Sequence, residues 1–300
     1  MSTQIYKVYN FLLFDELIGL IIAIFYKLKS FPDKVTIDFE VIFVRKIWLY
    51  LAALLAAVML SLPIAAETIN NQPELPTTIF GKDDREPVAN PQQSPNNAVC
   101  RLKITYRDGS IGYGTGFIYG KNLLATAAHC LYDASRGGKA DNITVYPAAS
   151  EKELPFGEYM VDAGNSVFHY PKKWRENGDW KYDFGVIETE QVWDERIKPL
   201  KLENRSVSQL KSGTFLLVGY DYKSFTQYRS TGKISQVRSN DLLYRLDVLH
   251  GESGAPVMDQ NGVVVGIANY GAEAGGPNYN SAARINHPVY QFLTSYLKKR

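Results

Sequence analysis

Cysteine is nearly absent: Cys100 and Cys130 are the only two in 300 residues. Two cannot build the disulfide framework of a small extracellular domain, although they leave room for one bridge if the chain is exported. Charge of one sign is missing as well, with a formal net charge of +2 and charged residues at 21%. Such a balance sets up no field for nucleic acid or an acidic polymer, so neither is expected as a partner. The sequence shows no internal repeat that would build a solenoid or propeller. It also shows no clustered ligand set for zinc or calcium, so no metal or organic cofactor is expected.

What is present is a Tyr-, Phe- and Gly-rich chain, with 20, 14 and 23 of these residues. That mixture suits many short strands joined by tight turns. The apolar content allows a sizeable core without staples.

The N-terminal third reads differently from the rest. Arg45 and Lys46 precede an apolar run over 47–62, followed by Pro63, Ile64, Ala65 and Ala66. A basic start, an apolar centre and a small-residue exit make a secretory signal with cleavage near Ala66. The competing reading is a transmembrane helix, since counting on to Ala66 gives just enough length to span a bilayer. A second, shorter apolar run covers 17–26, edged by Asp15 and Glu16 before it and by Lys27 and Lys29 after it. Either the true start lies near Val44, or an extra helix precedes the signal. If both runs span, Lys27, Lys29, Lys34, Arg45 and Lys46 lie in the cytoplasm by the positive-inside rule, and residues after Ala66 still end up outside. Residues 1–66 are therefore expected as an apolar, signal-bearing region that touches the membrane only transiently. The product is expected to be secreted, with a membrane-anchored form whose main domain lies outside as the second choice. The stretch from 67 to about 97 is rich in Pro, Asn, Gln and Asp and reads as an irregular lead-in. Its first part, 67–78, is expected as a pro-segment.

After Pro95 short β-type runs dominate: 98–106, 114–119, 122–127, 143–146, 184–188, 215–220, 232–237, 242–246, 256–258 and 263–270. Strands so short and evenly spaced indicate an all-β sandwich or barrel. One helix is expected over 288–298, where Val289, Phe292, Leu293, Tyr296 and Leu297 fall at helical spacing.

Three segments carry chemistry. Thr126-Ala127-Ala128-His129-Cys130 follows an apolar strand, and Gly251-Glu252-Ser253-Gly254-Ala255-Pro256 precedes another. Between them, Asp183 heads the apolar run of Phe184-Gly185-Val186-Ile187. A serine hydroxyl is a poor nucleophile until an imidazole accepts its proton. The imidazole in turn needs an acid on its other nitrogen. Gly251 permits the tight turn that aims the Gly251 and Ser253 N–H groups at one point, where an oxyanion would sit. Asp179 competes with Asp183, but its Asn-Gly-Asp setting looks like turn chemistry. His169, His250 and His287 are expected to be structural.

These segments resemble the His and Ser motifs of the chymotrypsin/trypsin superfamily, in the order His, Asp, Ser. The chain is similar in particular to the bacterial V8-like (glutamyl endopeptidase) branch. The likeness starts at Phe80-Gly81-Lys82-Asp83-Asp84-Arg85, runs through Gly114-Thr115-Gly116-Phe117-Ile118 and Gly266-Ile267, and covers roughly 78–297.

The resemblance implies two six-stranded antiparallel β-barrels with a C-terminal helix and the active site in the cleft. The protease domain would cover 79–300, with barrels at about 95–190 and 195–290. It implies a secreted serine endopeptidase made as a zymogen, acting as a monomer on a protein or peptide substrate. His129, Asp183 and Ser253 would form its triad, and the Gly251 and Ser253 amides its oxyanion hole. The alternative from another class is a catalytically inactive binding protein on the same scaffold, but inactive members usually lose a triad residue.

The substrate pocket would be lined by Asp247, Val248, Ala268, Tyr270 and Gly271. Where the branch commonly carries a Gly-Ile-His segment to bind Glu, this chain has Gly266-Ile267-Ala268, and Val248 replaces a frequent Thr or Ser. Both changes remove groups that a desolvated carboxylate needs, so Glu specificity is doubtful. Asp247 could attract Lys or Arg, or turn away to bond backbone and leave an apolar pocket. Relatives often bridge the cysteine after the His to a partner near position 114, which is glycine here. A Cys100–Cys130 bridge remains open.

Overall fold

The structure, a computed structural model, describes residues 79–164, 167–272 and 279–297. The apolar runs 17–26 and 47–62, the cleavage point near Ala66, the segment 67–78 and residues 298–300 lie outside these. No helix among the described residues is long and apolar enough to cross a membrane.

Two curled β-sheets, with a small ribbon in which Tyr132–Asp133 pairs with Gly138–Lys139, dominate the described residues, as the sequence leads one to expect. The first runs in the order Tyr159–Asp162, Asn142–Pro147, Val99–Thr105, Ile111–Gly120, Leu123–Thr126, Gly185–Glu188, Val167–His169. The second runs Glu86–Pro87, Gln227–Gly232, Phe215–Tyr220, Pro256–Met258, Val263–Tyr270, Asn280–Arg284, Asp241–Tyr244, Ile234–Val237. Lys201–Leu202 joins the second sheet beside Val263 and Val264, in a parallel pairing. The sheets thus hold seven and nine strands. These counts exceed six because short segments, Glu86–Pro87 and Lys201–Leu202 among them, also pair.

The first sheet's strands form where the sequence puts β-branched and apolar residues. Leu123–Thr126 is buried throughout, because strands pair on both sides of it and side chains cover both faces. Strands such as Gln227–Gly232 and Asn280–Arg284 are polar or small-residue segments without that signal. Their neighbours hold them: Asn280–Arg284 lies between Asp241–Tyr244 and Val263–Tyr270, with Ala282 and Ala283 buried. Local propensity yields here to packing.

One apolar cluster spans both sheets, joining Leu102, Ile104, Phe117 and Ile187 of the first to Val218, Tyr220, Met258 and Ile267 of the second. A smaller cluster fills the second sheet alone, around Phe215, Leu217, Leu242, Tyr244, Val257 and Val265. Polar ties fix the two sheets against each other. Tyr220 Oη donates to the Ala149 carbonyl at 3.0 Å. The Arg101 guanidinium lies between the rings of Tyr113 and Phe225 and donates to the carbonyls of Tyr222 and Ser224.

The terminal helix covers His287–Ser295, shorter than expected at its C-terminal end. The Asn286 side chain caps it, accepting from the Val289 amide at 3.1 Å. Val289 and Leu293 are buried, and Phe292 packs edge-on against Phe184, the residue before the strand Gly185–Glu188, so this helix closes one end of the first sheet. Two six-residue helices were not legible as apolar stripes: Lys172–Asn177 and Val207–Ser212. The second did carry a signal in Ser206 and Gln209, which form a reciprocal capping box.

Candidate active site

Thr126 pairs with Gly185 at the end of two adjacent strands, and this register brings the segments that follow one and precede the other together. His129 sits on the short turn Ala128–Cys130, anchored by buried Ala128 and Cys130. Asp183 is fully buried and closes the turn Trp180–Tyr182 just before its strand. Gly185 has to be glycine, since a Cβ there would lie 2.6 Å from Leu131 and 2.9 Å from the His169 carbonyl oxygen.

Asp183 holds His129 at two points. Oδ1 accepts from the His129 backbone amide at 2.9 Å, and Oδ2 lies 2.8 Å from Nδ1 of the ring. A carboxylate can only accept, so Nδ1 carries the proton, and in the neutral ring Nε2 holds the lone pair. Burial works to lower the imidazole's affinity for a proton. The Asp183 charge and hydrogen bond outweigh it, and the His129 pKa is held well above the ordinary histidine value. The rings of Tyr270 and Trp174 flank His129 at 6.1 and 6.4 Å.

Ser253 rides on a loop whose shape two glycines dictate. Gly251 has φ +102°, and a Cβ there would come within 2.5 Å of the Tyr222 nitrogen. Gly254 has φ +90°, and its Cβ would strike the Thr115 carbonyl oxygen at 2.0 Å. The loop is tied from three sides. The Tyr222 amide donates to the His250 carbonyl at 2.8 Å, the Thr115 hydroxyl to the Gly251 carbonyl at 2.9 Å, and the Thr115 amide to the Ser253 carbonyl at 2.8 Å. With the His250 carbonyl turned toward Tyr222, the trans peptide points the Gly251 N–H the opposite way. Among the described residues, neither the Gly251 nor the Ser253 amide has a hydrogen-bond partner. Two unpaired amides on one tight turn, two residues apart and beside a serine, are a ready site for a developing oxyanion.

Residues 114–267, the stretch that contains His129, Asp183 and Ser253, match the family of trypsin-like peptidase domains. The chain belongs to this family. Glutamyl endopeptidase of Bacillus licheniformis is 29% identical over 228 residues, covering 73% of this chain and 69% of that protein. Glutamyl endopeptidase of Staphylococcus epidermidis is 28% identical over 226 residues, covering 73% and 74%. A solved Glu endopeptidase structure superposes with a TM-score of 0.64 at 25% identity, covering 74% of this chain and all of that one. This trypsin-like peptidase is a V8-like serine endopeptidase, a hydrolase, as its sequence motifs lead one to expect.

Asp247, a candidate pocket acid, is buried. Its carboxylate accepts the Phe80 amide on Oδ1 at 2.8 Å and the Asp84 amide on Oδ2 at 3.0 Å. Both oxygens are thus spent on the N-terminal arm. Val248 and Ala268 belong to the apolar cluster of the second sheet. Tyr270 is partly exposed beside His129, and Gly271 is half-buried next to it. Cys100 and Cys130 are free and buried. Asp179 caps its turn, accepting from the Lys181 amide at 3.2 Å. His169 faces Glu188 at 3.0 Å and stacks on Tyr296.

Sequence reasoning missed the groups that shape the serine loop from outside its motif: Asp221, Tyr222 and the guanidinium of Arg85. Only Arg85 left a trace, as part of the Asp-Arg element, and nothing local showed where its side chain goes.

Proposed function

We propose that this endopeptidase cleaves peptide bonds by acyl transfer through Ser253. His129 takes the serine proton and returns it to the leaving amine, Asp183 orients His129, and the Gly251 and Ser253 amides hold the oxyanion. The observation that carries this is the pairing of His129 Nδ1 with buried Asp183 at 2.8 Å. It leaves the other ring nitrogen free to act as base. The Ser253 hydroxyl makes no hydrogen bond among the described residues. Serine–histidine contacts commonly tighten only in the complex with substrate. Every group in this reading comes from one chain, in keeping with a monomer.

The substrate is a protein or peptide whose side chain before the scissile bond is apolar. The walls at Val248 and Ala268 are apolar, and Asp247 is engaged by backbone. The enzyme is secreted: the signal pattern ending near Ala66 exports it, with membrane contact limited to that segment, and 67–78 serve as a pro-segment before the protease domain.

The test is labelling with a fluorophosphonate probe. Wild-type protein should react stoichiometrically at Ser253 and hydrolyse peptides. Ser253→Ala should do neither while keeping its melting temperature. A protein that folds but neither labels nor hydrolyses would be a binding protein on this scaffold.

A further inference from the structure

Resting on the reading that Gly251 and Ser253 supply the oxyanion hole, we propose that Arg85 is a positioning residue that holds the oxyanion loop through Glu252. Asp247 is the clamp that delivers it.

Glu252 sits between the two donor residues, and its side chain is fully buried. Oε2 accepts the Leu249 amide at 2.6 Å and faces Arg85 Nη1 at 3.3 Å. Oε1 has no partner among the described residues. Asp221 is buried on the neighbouring segment, and its Oδ2 lies 3.6 Å from Arg85 Nη2. That segment is the one whose Tyr222 amide holds the His250 carbonyl. One guanidinium therefore bridges the two pieces of backbone that aim the Gly251 N–H. It rests on the Tyr228 ring at 4.6 Å, and Asp83 fixes its outer edge.

The cation comes from far away in sequence, 167 residues before Glu252. The arm that carries it makes only a two-residue strand, Glu86 and Pro87 against Arg229 and Tyr228. Just before that strand, the Asp247 carboxylate holds the arm by the Phe80 and Asp84 amides. Asp247 and Glu252 lie on the same loop, so the loop grips the arm with one acid and is held by the arm at the other.

Removing the guanidinium leaves two buried carboxylates near each other with no cation. A buried charge without a partner is strongly unfavourable. The loop answers by turning Glu252 toward water, and the Gly251 and Ser253 amides turn with it. A purely structural ion pair would lower stability without this specific loss. Transition-state stabilisation falls while ground-state binding of the peptide, made mostly by pocket walls and strand contacts, changes little.

The experiment measures kcat, KM and fluorophosphonate labelling for wild type, Arg85→Met, Arg85→Lys, Glu252→Gln and the Arg85→Met/Glu252→Gln double variant. Arg85→Met should lower kcat by about 10²-fold, the order seen for loss of one oxyanion donor, with KM within about threefold. Arg85→Lys should recover part of it. In the Glu252→Gln background the same Arg85→Met change should cost far less, because position 252 then carries no buried charge and the Asp221 carboxylate that loses the cation still accepts the Lys223 and Ser224 amides. An equal loss in both backgrounds, or a loss confined to KM, overturns the proposal. If Arg85→Met alone does not fold, the comparison of Glu252→Gln with the double variant decides in the same way. Failure of wild type to label at Ser253 would instead overturn the catalytic reading on which the proposal rests.

Discussion

A Cβ on Gly114 would lie 2.8 Å from the sulfur of Cys130. The thiol occupies the space that a side chain at position 114 would need, and the missing partner of a bridge is replaced by close packing. Cys130 Sγ also sits 3.9 Å from the Ser253 carbonyl, directly behind the nucleophile. Cys100 stands on another strand, in register with Gly116 and Pro147, its thiol near the Ala98 carbonyl and pushed far toward the protonated form by burial.

The fold accordingly stands without a disulfide. Dithiothreitol should change neither the melting temperature nor the activity. Thiol titration of the unfolded, non-reduced protein should return two equivalents per chain. A bridged Cys100–Cys130 peptide in a non-reducing digest would contradict this.

Asp183 should matter chiefly through the ring it orients. Asp183→Asn should lower kcat by about 10⁴-fold, the cost of the wrong imidazole tautomer, while Asp179→Asn stays near wild type. The base must be neutral, so kcat/KM falls as pH drops through the pKa of His129 in the free enzyme. Because the Asp183 charge raises that pKa, the acid limb of wild type should lie above the ordinary histidine value. The residual activity of Asp183→Asn should fall off at lower pH than that of wild type. Coincident pH profiles would show that Asp183 does not set the titration.

Matched peptides differing before the scissile bond should rank Leu and Phe above Lys and Arg, with Glu last. An ionised carboxylate moved between Val248 and Ala268 loses water and finds no partner, a penalty of several kcal/mol, and roughly each 1.36 kcal/mol is tenfold in rate. Asp247→Asn should leave this ranking unchanged, since its carboxylate meets the arm rather than the substrate. A marked preference for Glu would mean that another group, His250 first, supplies the missing contact.

The active species should begin close before Phe80, near residues 77–79. That start keeps the Phe80 and Asp84 amides on Asp247. Mass-spectrometric sequencing of the active secreted form reads this directly, and an active species beginning at Met1 would refute it.

The residues around His129 and Ser253 were legible because their chemistry is local. Gly251 and Gly254 adopt positive φ that other residues tolerate poorly, so glycines at those spacings announce a tight loop around a serine. Asp183 was legible because an acid heading an apolar strand has few structural reasons to be there. The apolar strands around Phe117, Leu124 and Val186 declared themselves by composition, whereas Asn280–Arg284 became a strand only because two neighbours needed a partner.

By itself, then, the amino-acid order determined the two-sheet β fold, the serine peptidase chemistry and the three residues proposed to carry it. Tertiary structure alone decided what Asp247, Glu252 and Arg85 do. An acid near a serine reads equally well as a pocket floor or as a clamp. The choice depends on which donors reach it, and those come from Phe80 and Asp84, 167 and 163 residues away. The same holds for the cation that meets Glu252: a buried charge is defined by its partner, and chain folding, not sequence proximity, supplies that partner.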